Sequence, residues 1–139
     1  MKVMVFVRAT KDSEAGMMPT GDLIEAMGKF NEELVKAGIM KSGDGLKPTS
    51  QAKRVHFDGP KRTVKDGPFP VNETIAGYWI WEVKDMAHAL EWAKKCPNPM
   101  PGPSELEIRP HYELSDFAEI MTPEGAAMHE RVKQKLASG

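Results

Sequence analysis

The stretch from Thr74 to Val83 (TIAGYWIWEV) decides the fold, because it holds two of the three tryptophans within a run of β-branched and aromatic residues. Such residues favour β-strands, so the sequence predicts a central strand here. Alternation along a strand puts Trp79 and Trp81 on one face. Two roles are open for them: they wall a pocket for a small ligand, or they fill the helix–sheet core or a dimer contact.

A second central strand is predicted at Lys2 to Arg8 (KVMVFVR), which has no helical period and is expected to be buried on both faces. Alternation and turn residues predict shorter strands, two of which form a hairpin around Asp58-Gly59-Pro60. These shorter strands are Ile39 to Pro48, Gln51 to Phe57, Arg62 to Lys65 and Glu105 to Pro110. Within the first of them, Gly43-Asp44-Gly45 indicates a bulge.

Three helices are predicted. Between Asp22 and Ala37 the apolar residues recur at helical spacing, and Gly38 ends the run. Asp85 can cap a second helix from Met86 to Lys95. A tail helix at about residues 122–137 begins with a hydroxyl, a proline and an acid, as helix N-termini do. The loop of residues 10–21 is expected to lack regular structure, because it contains Gly16 and Pro19.

This order of elements predicts one α+β domain over residues 1–139, an antiparallel sheet with both long helices on one face. The opposite sheet face then needs a cover. A second copy of the chain is the simplest cover, so we expect a homodimer. Any working crevice is expected to depend on that dimer.

Composition excludes several classes of protein. The 139 residues are 40% apolar and 28% charged, with 19 basic and 20 acidic side chains, so no global field attracts nucleic acid or an anionic membrane. The apolar start, Met1 to Val7, is too short for a signal peptide or a membrane span. Together with a single cysteine, this predicts a cytoplasmic protein.

No residue pattern indicates a metal or cofactor. The four histidines stand apart from one another and from Cys96, so a zinc signature is absent, and there is no phosphate-binding glycine motif. His56 could act as a base with Asp58, or both could face solvent on a strand. Cys96 follows a helix C-terminus, whose dipole disfavours a thiolate. The hairpin around Asp58-Gly59-Pro60 is rich in lysine and arginine, and we call it the basic hairpin. It is expected to be a solvated sheet edge rather than a nucleic-acid site.

Two groups of residues could build a small-molecule site. The first lies at the end of the opening strand, where Arg8 precedes the charged loop residues Lys11, Asp12 and Glu14. The second combines aromatic walls with charged groups, as a pocket for an anionic or oxidised ligand requires. Its members are Asp66, Phe69, Glu73, Trp79, Trp81 and Arg109.

The chain resembles DGPF-domain proteins of the YCII-related family over nearly its whole length. The signature itself is Asp66-Gly67-Pro68-Phe69. Supporting segments are Met1 to Glu14, Ala26 to Gly38, Gly43 to Pro48, Ala76 to Trp81 and Glu91 to Pro103. The resemblance implies a ferredoxin-like α+β sandwich that pairs through its sheets into a dimeric α+β barrel. It implies no reaction, because fold kinship does not transfer chemistry.

Two departures from the family pattern bear on the site. Relatives continue the signature with an alanine, a glutamate and a Thr-Lys-Glu run, whereas this chain has Pro70-Val71-Asn72-Glu73. It is one residue shorter and lacks the first glutamate, so only Glu73 carries over. The histidine and aspartate proposed for the YCII branch lie in the N-terminal half, but the first histidine here is His56. Asp66 stands in the signature, although Asp-Gly-Pro is also turn chemistry in which glycine takes positive φ.

The leading hypothesis is that the protein is a homodimer that binds a small organic molecule. If it is an enzyme, it is expected to carry out proton transfer on a carbonyl or lactone. Asp66 and Glu73 are the expected acid and base. Arg8, Asp12, Trp81 and Arg109 are the expected ligand-binding residues. The alternative is a non-catalytic accessory or regulatory module whose tail helix docks a partner. Nucleic-acid binding through the basic hairpin ranks last.

Overall fold

A computed structural model describes residues 1–138 as one main sheet with a projecting hairpin and four helices. The strands are β1 (Lys2–Arg8), β2 (Met40–Gly45), β3 (Lys53–Asp58), β4 (Lys61–Asp66), β5 (Ile75–Glu82) and β6 (Leu106–Pro110). The helices are α1 (Lys11–Glu14), α2 (Gly21–Lys36), α3 (Met86–Lys95) and α4 (Pro123–Ser138). None of these helices has the length and apolar character needed to cross a bilayer.

The main sheet is antiparallel, with strand order β2-β5-β1-β6. Val5 lies opposite Trp79 of β5 on one side and opposite Ile108 of β6 on the other. The order βαββαβ, with a hairpin inserted before β5, gives the ferredoxin-like α+β fold. The predicted fold class is therefore confirmed.

One face of this sheet is buried beneath α2 and α3, which confirms that both long helices share a face. The alternating Val3, Val5 and Val7 project towards the helices and are buried. They pack with the other buried core residues, which are Phe30, Leu34, Ile39, Trp79, Trp81, Val83 and Ala89. Both tryptophan rings take the core role, and Trp79 also lines a cleft on the helix side.

The opposite face of the sheet carries no helix. In β1, Met4 and Phe6 point to this face and are half-buried. Within the single chain, β1 is therefore fully buried on its helix face only, whereas the sequence predicts burial on both faces. Tyr78 and Ile80 of β5 lie opposite these residues and are half-buried as well. We call this surface, formed by Met4, Phe6, Tyr78 and Ile80, the open face.

The hairpin β3–β4 forms where the turn residues predicted it, but it stands apart as its own two-stranded sheet. All twelve strand residues are exposed. Its register pairs Val55 with Val64 and Phe57 with Arg62, so these side chains share one face. We call residues 53–66 the hairpin arm.

Two local expectations were wrong. The loop of residues 10–21 contains one turn of helix, α1, because Thr10 and Ser13 exchange two hydrogen bonds that cap it. In β2, the register shift lies between Met40 and Ser42 and not at the glycines. Gly43 has a different role: a Cβ there would stand 2.7 Å from Cδ1 of Trp79. Its absence makes room for the indole ring.

Replacing Gly43 by alanine should therefore destabilise the fold. The added methyl forces Trp79 or the β2 backbone to move, which costs about 1–3 kcal/mol of unfolding free energy. Urea denaturation followed by tryptophan fluorescence measures the loss. Gly45→Ala is the matched control, because nothing lies within 4 Å of a Cβ at that position. Equal stability of the two variants would contradict the assignment.

Candidate functional site

The main cleft of the helix side is rich in methionine. It runs between the start of α2, the edge strand β2 and the proline-rich loop before β6, and we call it the methionine cleft. Its methionines are Met17, Met18, Met27, Met40 and Met100. Methionine side chains are flexible and polarisable, so such a surface adapts to apolar ligands of different shape.

The cleft has two adjoining lobes of about 540 and 680 Å³, a size that suits small-molecule ligands. The inner lobe is walled by Trp79 and Met27 and contains Asn31, whose Oδ1 accepts a 2.9 Å hydrogen bond from Trp79 Nε1. The outer lobe is lined by α1 and by Asn98. Both lobes share Pro19, Leu23, Gly45, Ala76, Pro99 and Met100.

Asp12 brings a carboxylate to the outer lobe. The capped turn α1 holds it there, since Ser13 N donates to Thr10 Oγ1 at 3.2 Å and Thr10 N donates to Ser13 Oγ at 2.9 Å. The Asp12 side chain is half-buried and makes no hydrogen bond or ion pair with the described residues 1–138. A carboxylate without a protein partner beside apolar walls can bind a ligand donor or exchange a proton.

Glu14, two residues further on, fastens the DGPF loop to α1. Its carboxylate accepts hydrogen bonds from Thr49 N, at 3.1 Å, and from the Thr49 hydroxyl. Thr49 Oγ1 in turn accepts from Phe69 N at 3.0 Å. Glu14 is therefore a structural anchor for the signature loop.

Close packing of the backbone explains why the signature has glycine at position 67. The expectation that this glycine has a positive φ was wrong. Its φ is not in the positive region, where Gly16, Gly38 and Gly59 are found. A Cβ at Gly67 would collide with the carbonyl oxygen of Thr49. Gly67 N also donates to Ala52 O at 2.9 Å, so the backbone of the signature lies directly against residues 49–52.

The two expected acid–base residues lie outside the methionine cleft. Asp66 is exposed at the end of β4, where its Oδ1 is 2.6 Å from Lys53 Nζ. Glu73 is exposed and lines a shallow groove of about 450 Å³ that also includes Phe69. Arg54 stacks on Phe69, with its guanidinium carbon 3.8 Å from the ring centroid.

The expected ligand-binding residues are not brought together. Arg8 donates to Asn72 O at 2.8 Å and lies 3.6 Å from Glu107 Oε1, at one end of the open face. Arg109 pairs in register with Met4, which also places it on that face. Trp81 is fully buried in the helix-side core, where its Nε1 has no partner among residues 1–138. Trp79, not Trp81, is the tryptophan that lines the cleft.

The histidines do not form a cluster. His56 and Asp58 lie on the exposed polar face of the hairpin arm, as strand alternation placed them. His88 Nδ1 accepts a 3.1 Å hydrogen bond from Lys84 N near the start of α3. Across residues 1–138, no three His, Cys, Asp or Glu side chains are grouped to hold a metal ion.

The thiol of Cys96 is not poised for nucleophilic chemistry. Burial raises the pKa of Cys96 from its ordinary value to about 11, because desolvation disfavours the thiolate. Its Sγ also lies 3.2 Å from the carbonyl oxygen of Pro97.

Alkylation of native Cys96 by iodoacetamide should be slow. The pKa of the Cys96 thiol is near 11 in the folded chain and near 9 in the unfolded chain. Below pH 9, the folded chain therefore has about a hundredfold less thiolate than the unfolded chain. The rate should therefore rise as pH increases from 8 towards 11. Mass spectrometry measures the reaction, with the urea-unfolded chain as reference. Equal rates for the native and unfolded chains at pH 8 would contradict the burial argument.

Comparison with known proteins agrees with this architecture. A family model for the YCII-related domain matches residues 1–112, which include the whole sheet, α1 to α3 and the hairpin arm. The chain belongs to the YCII-related family. An uncharacterized protein of Rhizobium meliloti (strain 1021) is 29% identical over 77 residues, which are 55% of this chain and 62% of that protein. The chain therefore spans less than two thirds of the curated relative's length, and α4 lies beyond the family match.

In this YCII-related domain, sequence reasoning missed the methionines that line the cleft. Met17, Met18 and Met100 lie in segments rich in glycine or proline, where no helical or strand period assigns a side chain to a face. A signal was present, since ten methionines is a high count for 139 residues and two of these three adjoin prolines. Exposed methionines in stiff loops suggest an adaptable apolar surface.

Proposed function

We propose that this YCII-related protein is a homodimer that binds a small, mainly apolar carbonyl or lactone compound in the methionine cleft, where Asp12 exchanges a proton with it. The observation that carries the proposal is the position of Asp12: a half-buried carboxylate that faces a cleft lined by methionines and has no partner in residues 1–138. A cytoplasmic location belongs to the same proposal and rests on the single, unbridged cysteine.

The apolar lining and Asp12 have different proposed roles in the cleft, which Asp44 also lines at the inner lobe. The methionines and Trp79 supply the burial that holds the carbon skeleton, at about 25 cal/mol for each Å² of apolar surface removed from water. Asn98 and Asn31 line the outer and inner lobes, respectively. The Asn98 amide already bonds Gly102, Met100 and Ser104, and Asn31 Oδ1 accepts from Trp79. Their remaining N–H groups are the proposed donors to a ligand carbonyl oxygen, while Asp12 takes a proton from the adjacent carbon.

Asp66 and Glu73 remain proposed alternatives for the acid and base, and the geometry supports them less than Asp12. Asp66 already forms an ion pair with Lys53, and both side chains are exposed. Glu73 lies beside Phe69 in a shallow groove, without an enclosing wall. Arg8 and Arg109 would act on a ligand only at the open face.

A thermal-shift screen of small ketones, aldehydes and lactones tests binding in the cleft. A ligand at a hundred times its Kd should stabilise the fold by about 2.7 kcal/mol. Gly28 lines the inner lobe and has open space around its Cβ position, so Gly28→Leu should fill the lobe and remove the shift. Gly28→Ala is the matched control and should keep it. An unchanged shift in Gly28→Leu would place the ligand elsewhere.

Turnover of a ligand found in that screen tests the acid. Asp12→Asn should lower kcat by at least about a hundredfold, which is the usual contribution of a positioned general base. Asp66→Asn and Glu73→Gln should change kcat little. Full activity of Asp12→Asn together with inactivity of either other variant would transfer the role to that residue.

The dimer is supported by the accessible surface. The chain exposes 10217 Å², whereas a compact monomer of 15.4 kDa would expose roughly 7200 Å². The excess, about 3000 Å², is of the order that an obligate dimer buries. The open face supplies an apolar centre for such a contact, since Met4, Phe6, Tyr78 and Ile80 adjoin one another there.

Light scattering should give twice the chain mass of 15.4 kDa. Ile80→Glu should shift the protein towards monomer, because a buried unpaired charge is costly. Val35→Glu is the control, as Val35 is an exposed residue on the solvent side of α2. A wild-type monomer at micromolar concentration would overturn the homodimer.

One observation favours the accessory-module alternative. Helix α4 has no buried residue, and Met128, Val132 and Leu136 recur every four residues as an exposed apolar stripe. Such a stripe can dock a partner protein. Absence of any thermal shift across the ligand panel would favour this function over proton transfer.

A further inference from the structure

The hairpin arm exposes an apolar surface that the rest of its own chain leaves uncovered. Val55, Phe57 and Val64 share one face, and Phe57 is 66% exposed. A two-stranded hairpin is at best marginally stable by itself in water, so a third layer is needed to hold it. This surface therefore requires a cover from outside the single chain.

The segment that includes β6 and the chain up to the start of α4 exposes a second apolar surface. Tyr112 and Ile120 are 79% and 80% exposed, and Leu114 is exposed as well. They line a cavity of about 1020 Å³ between this segment, the start of β1 and α4. We call residues 105–124 the acidic segment.

The two surfaces are complementary in charge. The hairpin arm carries five basic side chains and two acidic ones, whereas the acidic segment carries six acidic side chains and one arginine. Four of those six acids lie beyond β6, in the part of the segment that holds the exposed apolar residues. Among residues 1–138, no ion pair joins the arm to the segment. Opposite charge around two apolar centres is the pattern of surfaces that recognise each other.

The hairpin arm and the apolar residues of the acidic segment, which follow Pro110, lie at opposite ends of the main sheet. The arm enters β5 at Ile75, which pairs with Arg8 at the end of β1. The acidic segment leaves β6 at Pro110, which pairs with Val3 at the beginning of β1. A twofold axis that lies between two facing sheets and perpendicular to their strands brings one end of each sheet to the other end of its partner.

We propose that the hairpin arm of each copy docks on the acidic segment of the other copy and that Phe57 enters the cavity beside Ile120. The cavity is then completed by the partner's hairpin. This inference rests on the proposed homodimer, and it accounts for why the arm and the cavity both stay open in a single chain. The partner is a second copy because the chain itself carries both complementary surfaces.

Crosslinking between two differently marked chains tests the docking. In a Cys96→Ser background, a tagged Lys61→Cys chain is mixed with an untagged Glu119→Cys chain and treated with a short bismaleimide. The expected product is a covalent heterodimer that joins the arm to the acidic segment. Glu32→Cys replaces Glu119→Cys in the control, since Glu32 is exposed on α2 at the helix side of the sheet. That mixture should give no such product.

The outcomes separate this inference from the proposed dimer. A dimer by light scattering, with no Lys61–Glu119 product above the control, overturns the docking and leaves the dimer intact. A product that forms only within one chain of the Lys61→Cys, Glu119→Cys double variant overturns it too. A monomer at every concentration overturns both.

A pair of neighbouring substitutions gives a second readout. Phe57→Ser should raise the dimer dissociation constant about tenfold, because it removes an apolar anchor from the contact. His56→Ser, on the opposite face of β3, should leave that constant unchanged. Circular dichroism checks that both variants fold. An equal effect of the two substitutions, or none in Phe57→Ser, would overturn the proposal.

Discussion

The handedness of the two helical connections between parallel strands determines which face of the sheet the helices cover. β1 and β2 both run antiparallel to β5, so they are parallel to each other and are joined through α2. β5 and β6 are likewise parallel and are joined through α3. Because crossovers between parallel strands are right-handed, and the two run in opposite senses, both helices lie on the same face. The chain thus covers one face of the sheet with its helices and leaves the other face without a helix.

On the covered face, the close approach of backbones shapes the cleft. Gly43 leaves room for the Trp79 ring beside β2, and this ring becomes a wall of the inner lobe. Gly67 lets the signature loop lie against Thr49, and Glu14 fastens Thr49 to α1. The same turn α1 carries Asp12 to the outer lobe. The DGPF signature therefore supports the cleft through α1 rather than by lining it.

Elements with a strong local signal were predictable. α3 was predicted with its bounds because Asp85 caps it and Pro97 follows it, and β1 because β-branched residues fill it. The placement of side chains on a site was not predictable in the same way. Trp79 and Trp81 share a strand face, yet Trp79 lines the cleft and Trp81 does not. This difference depends on where α2 places Asn31, which bonds Trp79 at the inner lobe. Such choices depend on packing between elements distant in sequence.

The methionine cleft is lined mainly from the helix side of the sheet, whereas the open face lies on the other side, so the proposed ligand site differs from the expected crevice that depends on the dimer. Residues of one chain line both lobes, so this cleft exists before any association. Outside the cleft, further surface is uncovered on the open face, the hairpin arm and α4, and Tyr78 of the open face also lines the inner lobe. The proposed ligand site and the proposed self-association surface therefore have separate structural origins, and a substitution can disturb one while leaving the other in place.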